Sequence, residues 1–464
     1  MPYDLNQRLL LPPDLREWVP EGHLALFVAD VVDSLDLSAV LDAYRKRDDR
    51  GRAGYHPAMM VKLLVYGYCV GKPSSRKIEK ATHEDVPFRV LAGDQHPDHD
   101  CIAAFRKEHL AALGGLFVQV LLLCQKAGLV KLGHVAIDGT KIKANASKHK
   151  AQSYGRMEEA EKRLKEEVDR LLEEAARVDA EEDALYGKGK RGDELPEELA
   201  RRDSRLRKIR EAKAALEAEA KAEAEVKAEA VRARLAERAK KEAETGKKTP
   251  GRPPQMPNPE EAKPEPKAQR NFTDPESRIM PDGANKGSFL QGYNAQIAVD
   301  ASAQIIVATA MTQATNDKLE LVPMARRIIE NCGRLADTTS ADAGYFSDEA
   351  VADPMLKSTD LLVPPDRQKH GASPQAIIAS PGPDDSEAVK MRRKLTTPDG
   401  RDRYRRRKVI VEPVFGQIKE ARGFRRFLLR GFIAAGLEFD LIALTHNLLK
   451  LFRSGALSNM GAAA

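Results

Sequence analysis

HVAIDGTKIKANAS, residues 134–147, is the stretch from which the rest of the chain is read. His134 to Ile137 suit a β-strand and lead directly into Asp138, after which the chain turns basic and polar with Lys141 and Lys143. A carboxylate at a strand end often does no more than cap a turn. Asp138 acquires chemical meaning only if distant segments bring it partners.

Downstream, residues 151–245 are built from Ala, Glu, Lys, Arg and Leu. MEEAEKRLKEEVDRLLEEAARV (157–178) and RLRKIREAKAALEAEAKAEAEVKAEAVRARLAERAKKEAE (205–244) are strong helix formers with both charge signs interspersed. YGKGKRGDELPEEL (186–199) divides them, which predicts an antiparallel helical hairpin as an insertion. Leucines are too sparse in the second arm for a coiled-coil seam. Residues 246–269 are Pro-rich and read as a disordered linker.

Order is expected to return at residue 270. GYNAQIAVDASAQIIVATAMTQ (292–313) alternates as two strands turning at Asp300–Gln304, and NDKLELVPMARRIIENCG (316–333) reads as a helix. TTSADAGYFS (338–347) is a short strand ending at Asp342, and DLLVPP (360–365) is another. A polar loop fills 366–400. The segments 403–431 and 436–454 are helical, the first perturbed by Pro413.

Upstream, residues 1–130 read as all-helical, with Pro57 in a first turn and Asp100 capping a later helix. This segment fits a DNA-docking module and a plain helical packing domain equally well.

Composition narrows the class without fixing it. The chain has 464 residues, 42% of them apolar, a formal net charge of +6 and a pI near 8.9. Two or three units are expected, and the mild basicity fits DNA or an ordinary cytosolic enzyme. Four scattered cysteines without CxxC spacing predict neither a disulfide framework nor a zinc knuckle. The N-terminal residues carry acids and prolines where a secretion signal has its apolar stretch, so a cytoplasmic protein without membrane spans is expected. GKGKRG (187–192) follows no strand and is read as a turn. No phosphate-loop pattern occurs, so no nucleotide cofactor is expected. HPDHDC (96–101) lacks a fourth zinc ligand, and Asp300 and Asp317 are assigned to a turn and a helix cap.

Three carboxylates stand out by position: Asp138 and Asp342 at strand ends, and Glu412 in a cationic helix. Each has a local explanation when taken singly. Taken together, they fit Asp–Asp–Glu on a mixed sheet, with the element order of an RNase H-like α/β fold. Few acids interrupt the cations between Arg401 and Arg430, which favours a surface that follows phosphates.

HVAIDGTKIKANAS, GYNAQIAVD, TSADAGYFS and VEPVFGQIKEARGFRRFLLRG together resemble the DDE transposases of bacterial insertion sequences. The group in question is marked by Tyr-x2-Arg-x3-Glu-x6-Lys. The resemblance implies an RNase H-like catalytic domain in 131–150 and 270–464. It also implies a helical DNA-binding domain in 1–130, with the hairpin 151–245 and linker 246–269 inserted. It implies that Asp138, Asp342 and Glu412 hold two Mg²⁺ or Mn²⁺ ions. Lys419, seven residues after Glu412, matches the family lysine. Tyr404 and Arg407 keep Tyr-x2-Arg, but four residues separate Arg407 from Glu412, and Lys408 keeps the three-residue spacing instead. Lys141, Lys143, Arg425 and Arg426 complete the expected DNA contacts. The implied activity is metal-dependent cleavage at the element's terminal inverted repeats and strand transfer into target DNA, by a homodimer on DNA associated with the nucleoid. A catalytically silent DNA-binding protein and a nuclease without strand transfer remain the alternatives.

Overall fold

A computed structural model describes residues 14–45, 54–186, 197–246, 251–283, 287–366 and 385–456. The GKGKRG turn, most of the polar loop and the first thirteen residues lie outside them. Two compact units emerge: Met1–Asn145 with Met280–Ala464, and Ala146–Ile279.

The first unit opens with seven helices: α1 (Leu24–Ser34), α2 (Ser38–Arg45), α3 (Pro57–Cys69), α4 (Ser75–Glu84), α5 (Val86–Leu91), α6 (His99–Glu108) and α7 (Leu110–Lys126). Pro57 does begin α3, and the His56 ring caps it by accepting from the Ala58 N–H at 3.3 Å. The cap of α6 is Asp98 rather than Asp100: its carboxylate accepts from the Cys101 N–H at 2.7 Å, and Asp100 lies in the first turn. Helix α3 is buried on nearly every side, as a helix must be when it lacks a polar face.

Strand β1 (His134–Lys143) begins the sheet. Three short strands follow, β2 (Ala151–Ser153), β3 (Gln269–Asn271) and β4 (Arg278–Pro281), then β5 (Phe289–Asp300), β6 (Ile305–Thr312), β7 (Thr338–Ser340) and β8 (Asp360–Leu362). The sheet order is β4-β5-β1-β7-β8, with β6 also on β5. Pairs β5–β1 and β5–β6 are antiparallel, while β1–β7 and β7–β8 are parallel. The sheet is mixed and the α/β expectation holds at that level. The β5–β6 hairpin turns where the alternation placed it, with Gln304 at φ 57°.

One expectation fails in an informative way. β1 does not end at Asp138: it continues to Lys143, because Gly139 to Lys143 stay paired with β5 from Gln296 to Gly292. What ends there is the other neighbour. β7 pairs with β1 only from His134 to Ala136, so beyond Ala136 that edge of β1 is open.

Helix α10 (Leu321–Cys332) packs on β6, and the short α11 (Asp348–Val351) follows Asp342. The supposed loop contains α12 (Glu387–Thr396), and α13 (Pro398–Gly416) starts at once, with Thr397 Oγ1 accepting from the Gly400 N–H at 3.0 Å. Pro413 sits inside α13 and leaves the Val409 carbonyl without its helical partner. The Gln304 side chain takes over, its Nε2 donating to Val409 O at 3.0 Å. A π-helical turn, Gln417–Ala421, ends this stretch.

Among the described residues α14 (Phe432–Ser454) is the one unbroken helix long and apolar enough to cross a membrane. It is instead a core element, packed on α3, α7 and β6. Phe27 of α1 meets Phe452 at 5.2 Å between ring centroids, and Asn447 Nδ2 donates to Ile306 O at 2.8 Å. The N-terminal helices and the sheet therefore share a core through α14.

In the second unit α8 (Tyr154–Tyr186) and α9 (Glu197–Thr245) form the expected hairpin. Its apolar seam is short: Tyr154, Met157 and Leu164 against Leu206, Ile209, Ala212 and Leu216. Glu161 pairs with Arg210 at 3.0 Å and with Lys213 at 3.1 Å beside it. The Pro-rich linker is not a disordered tether over its described residues. It runs back along α9, where Arg238 donates to Gly251 O at 2.8 Å and Lys221 pairs with Glu260 at 2.6 Å. Proline's fixed φ favours such an extended return, and α9 side chains anchor it at Gly251 and Glu260.

Candidate active site

The strand register puts Asp138 and Asp342 side by side. Ala136 of β1 pairs with Ser340 of β7, so the two aspartates each stand two residues beyond the last matched pair. Parallel strands run their carboxyl ends to the same edge, which is where open α/β sheets keep their sites. Asp342 caps the turn Ala343–Tyr345, its Oδ1 accepting from the Gly344 N–H at 2.8 Å. Asp138 Oδ1 accepts from the Gly139 N–H at 2.8 Å.

Helix α13 approaches from the side. Its first turns are tied to the amino ends of β7 and β8: Arg403 donates to Thr338 Oγ1 at 2.7 Å and pairs with Asp360, which also holds Lys394. One turn on, Arg407 Nη1 donates to Asp138 Oδ2 at 3.0 Å. Tyr404 lies under that guanidinium, 5.9 Å from ring centroid to Arg407 Cζ. Burial pushes the Asp138 carboxyl up to about 6, against the pull of Arg407 and with the like charge of Asp342 adding to it.

At the far end of this stretch Lys419 donates to Thr140 Oγ1 and, at 2.9 Å, to Lys141 O. Burial lowers its ammonium below the usual lysine value. The Lys143 N–H donates to Arg425 O at 3.2 Å and the Phe427 N–H to Lys143 O at 2.8 Å, which fixes the loop carrying Arg425 and Arg426 against β1. Glu438 of α14 holds the next residues, accepting from the Leu428 and Leu429 N–H groups and from Tyr68 Oη.

The expected site residues thus divide. Asp138, Asp342, Arg407, Tyr404 and Lys419 converge on the β1 edge. Glu412 is exposed on α13, and no three carboxylate, histidine or cysteine side chains form a ready metal cage among the described residues. Lys143, Lys408, Arg425 and Arg426 are exposed, whereas Lys141 is largely buried and paired with Asp317 at 3.8 Å. The sequence around Asp317 predicts a helix cap. It does precede α10, but its Oδ1 instead accepts from Asn294 Nδ2 at 2.7 Å and Gln296 Nε2 at 2.6 Å. The signal available in the sequence was a pair of amides at alternate positions of β5, Asn294 and Gln296, in an otherwise apolar strand.

Two family models match the chain: "Transposase domain (DUF772)" over residues 13–108, and "Transposase DDE domain" over residues 372–452. The first covers α1 to α6 and the second α12 to most of α14. The chain is a transposase of the DDE type. The transposase acts on DNA, and its chemistry depends on divalent metal. Glu412 and Lys419 fall inside the second match, while Asp138 and Asp342 lie outside both. No curated protein and no solved structure matches the transposase.

The donor set suits the metal. Asp138 and Asp342 offer hard carboxylate oxygens at one sheet edge, the donor type that Mg²⁺ and Mn²⁺ prefer. Two like charges close enough to raise the Asp138 pKa gain from a cation between them.

Proposed function

We propose that Asp138 and Asp342, with Glu412 as third carboxylate, bind Mg²⁺ or Mn²⁺, and that the transposase cuts DNA at its element's ends and joins them to target DNA. The observation that carries this reading is the register: both aspartates occupy equivalent positions at the carboxyl edge of adjacent parallel strands. The strand order, with a long antiparallel hairpin on one side of β1 and two parallel strands on the other, supports an RNase H-like catalytic domain. Bound divalent ions would activate the attacking oxygen and stabilise the leaving one.

The protein's own groups have separable tasks. Asp138 and Asp342 hold the ions, and Arg407 balances the charge on Asp138. Glu412 is exposed on α13, between Arg407 and the turn carrying Lys419, which both reach β1, and to join the ions its carboxylate would have to turn toward that edge. Lys143, Lys408, Arg425 and Arg426 bind backbone phosphates, while Lys419, fixed to β1, places one ammonium beside the reacting strand. Residues 131–150 and 270–464 form the catalytic domain, 1–130 the DNA-docking helices, and 151–245 with 246–269 an insertion. Two copies on paired ends, in the cytoplasm and at the nucleoid, complete the reading. The motif around Glu412 supports an insertion-sequence enzyme of the Tyr-x2-Arg-x3-Glu-x6-Lys group.

Incubation with element-end DNA and Mg²⁺ tests it: nicked ends and joined donor–target products are expected from the native chain, and neither from Asp138→Asn or Glu412→Gln. Cut ends without joined products would mark a nuclease. Tight end binding with no cutting would mark a silent DNA-binding protein.

A further inference from the structure

Gly139, Asn294, Gln296, Asp317 and Tyr345 form a buried polar cluster that the acid triad does not include. Asn294 and Gln296 are fully buried, and both donate to one oxygen of Asp317. Gln296 in turn accepts from the Tyr345 hydroxyl through its own carbonyl oxygen. Tyr345 is fully buried and belongs to the turn that Asp342 caps. The second Asp317 oxygen faces Lys141 of β1 and lies 3.7 Å from where a Cβ on Gly344 would stand.

The cluster leaves no room over β1 beside Asp138. A Cβ on Gly139 would lie 2.4 Å from Gln296 Nε2 and 2.8 Å from Asp317 Oδ1. Hydrogen bonds run from Asp317 to Gln296 of β5 and on to Tyr345 of the Asp342 turn, and β1 packs against the first two at Gly139, the strand partner of Gln296. Paired β7 ends at Ser340, so the backbone ladder does not fix the Asp342 turn relative to Asp138. This chain does.

We propose that Asp317 is a positioning residue, which acts through Gln296 and Tyr345 to set the separation of the Asp138 and Asp342 carboxylates. The inference rests on the reading of those two residues as metal ligands. Groups that orient metal ligands from behind typically change metal affinity about 10–100-fold when removed. An amide at position 317 keeps an oxygen for both donors, whereas a methyl group does not.

The test is Mn²⁺ binding to the full-length chain, followed by electron paramagnetic resonance of the free ion and needing no turnover. Asp317→Ala is expected to weaken binding at least about tenfold, and Asp317→Asn to restore it to within about threefold of native. Tyr345→Phe should weaken binding too, and combined with Asp317→Ala should add little, since both interrupt the same chain. Circular dichroism melting checks that each variant is folded. Asp317→Asn as damaging as Asp317→Ala would overturn the proposal, because the charge, as a ligand or partner of Lys141, would then be what matters. Independent, multiplying effects of the two variants would overturn it as well. Asp138→Asn serves as reference: if it leaves Mn²⁺ binding intact, the metal-site reading itself falls. If it abolishes binding while Asp317→Ala does nothing, only the positioning role falls.

Discussion

Arg407 and Asp138, 269 positions apart in the chain, meet through a 3.0 Å hydrogen bond in which the guanidinium is almost wholly buried. The pairing explains how α13 is set against β1, and it makes Asp138 sensitive to substitution at 407. Removing one partner of a buried ion pair leaves the other charged and uncompensated, at a cost of about 3–5 kcal/mol. Arg407→Gln is therefore expected to lower the melting temperature at neutral pH. The pH dependence has a definite sign. Burial raises the Asp138 pKa from 3.8 to about 6 in the fold, so its contribution to stability is complete below 3.8 and is lost as pH rises through about 6. Arg407 limits that loss, so the deficit of Arg407→Gln should be small at pH 4 and grow toward pH 7. Melting curves across that range check it, and a deficit that shrinks with rising pH would refute the account.

Proton and metal compete for the same Asp138 oxygens. With the carboxyl pushed up to about 6, Mn²⁺ affinity is expected to be level above that pH and to fall by up to about tenfold per unit below it. Arg407→Gln should move the bend to higher pH, because the guanidinium pulls the pKa down. Titration of the native chain at several pH values gives the curve; a flat profile between pH 4.5 and 7.5 would remove Asp138 from the ligand set.

Gly139 is needed for contact rather than for turning, since it sits in a regular strand pair with Gln296. Gly139→Ala forces a methyl group into the hydrogen-bonded amide and carboxylate tips above it, at 2.4 and 2.8 Å. Overpacking of this kind costs about 1–3 kcal/mol. Lower thermal stability is expected, together with weaker Mn²⁺ binding. Native stability in this variant would show that the cluster is looser than its distances imply.

Glu438 is a buried carboxylate that three donors fill: the Leu428 and Leu429 N–H groups and Tyr68 Oη. It links α3 and α14 to the loop bearing Arg425 and Arg426. Burial raises its pKa, so an amide is a better substitute than a methyl group. Glu438→Gln should melt close to native, while Glu438→Ala should lose about 1–3 kcal/mol for each donor left unsatisfied. Equal melting temperatures for the two variants would mean that water reaches these donors.

The sequence made the hairpin at Asp300–Gln304, the strands around Asp342 and DLLVPP, and the charged helices legible, because periodicity and turn chemistry report local structure directly. It misplaced the end of β1: GTKIK carries no apolar pattern, and its strand state comes from the neighbouring β5. The α12 helix was hidden in polar sequence whose anchor, Asp360, lies on β8. Asp138 and Asp342 were legible as strand-end acids, whereas the role of Arg407 depends on the tertiary contact itself. Asp317 was read locally, before α10, and its true partners are twenty-one and twenty-three residues upstream.

Lys143, Arg425 and Arg426 are exposed around one loop-to-strand contact, and they carry the prediction about DNA. Lys143 and Arg426 form an isolated parallel bridge, so their backbones are adjacent. Arg425 is paired with Glu420, an exposed pair worth little to stability. Exchange of Arg425 and Arg426 for Ala should therefore leave melting unchanged. Each lost phosphate contact should reduce the slope of log affinity against log salt by about 0.9 on duplex DNA. The double variant should bind element ends and scrambled duplex more weakly by the same factor at low salt, since phosphate contacts carry no base sequence. Fluorescence anisotropy over a salt series measures both quantities. An unchanged slope would place the DNA path elsewhere on the molecule, and a loss confined to the element-end sequence would make these arginines base readers instead.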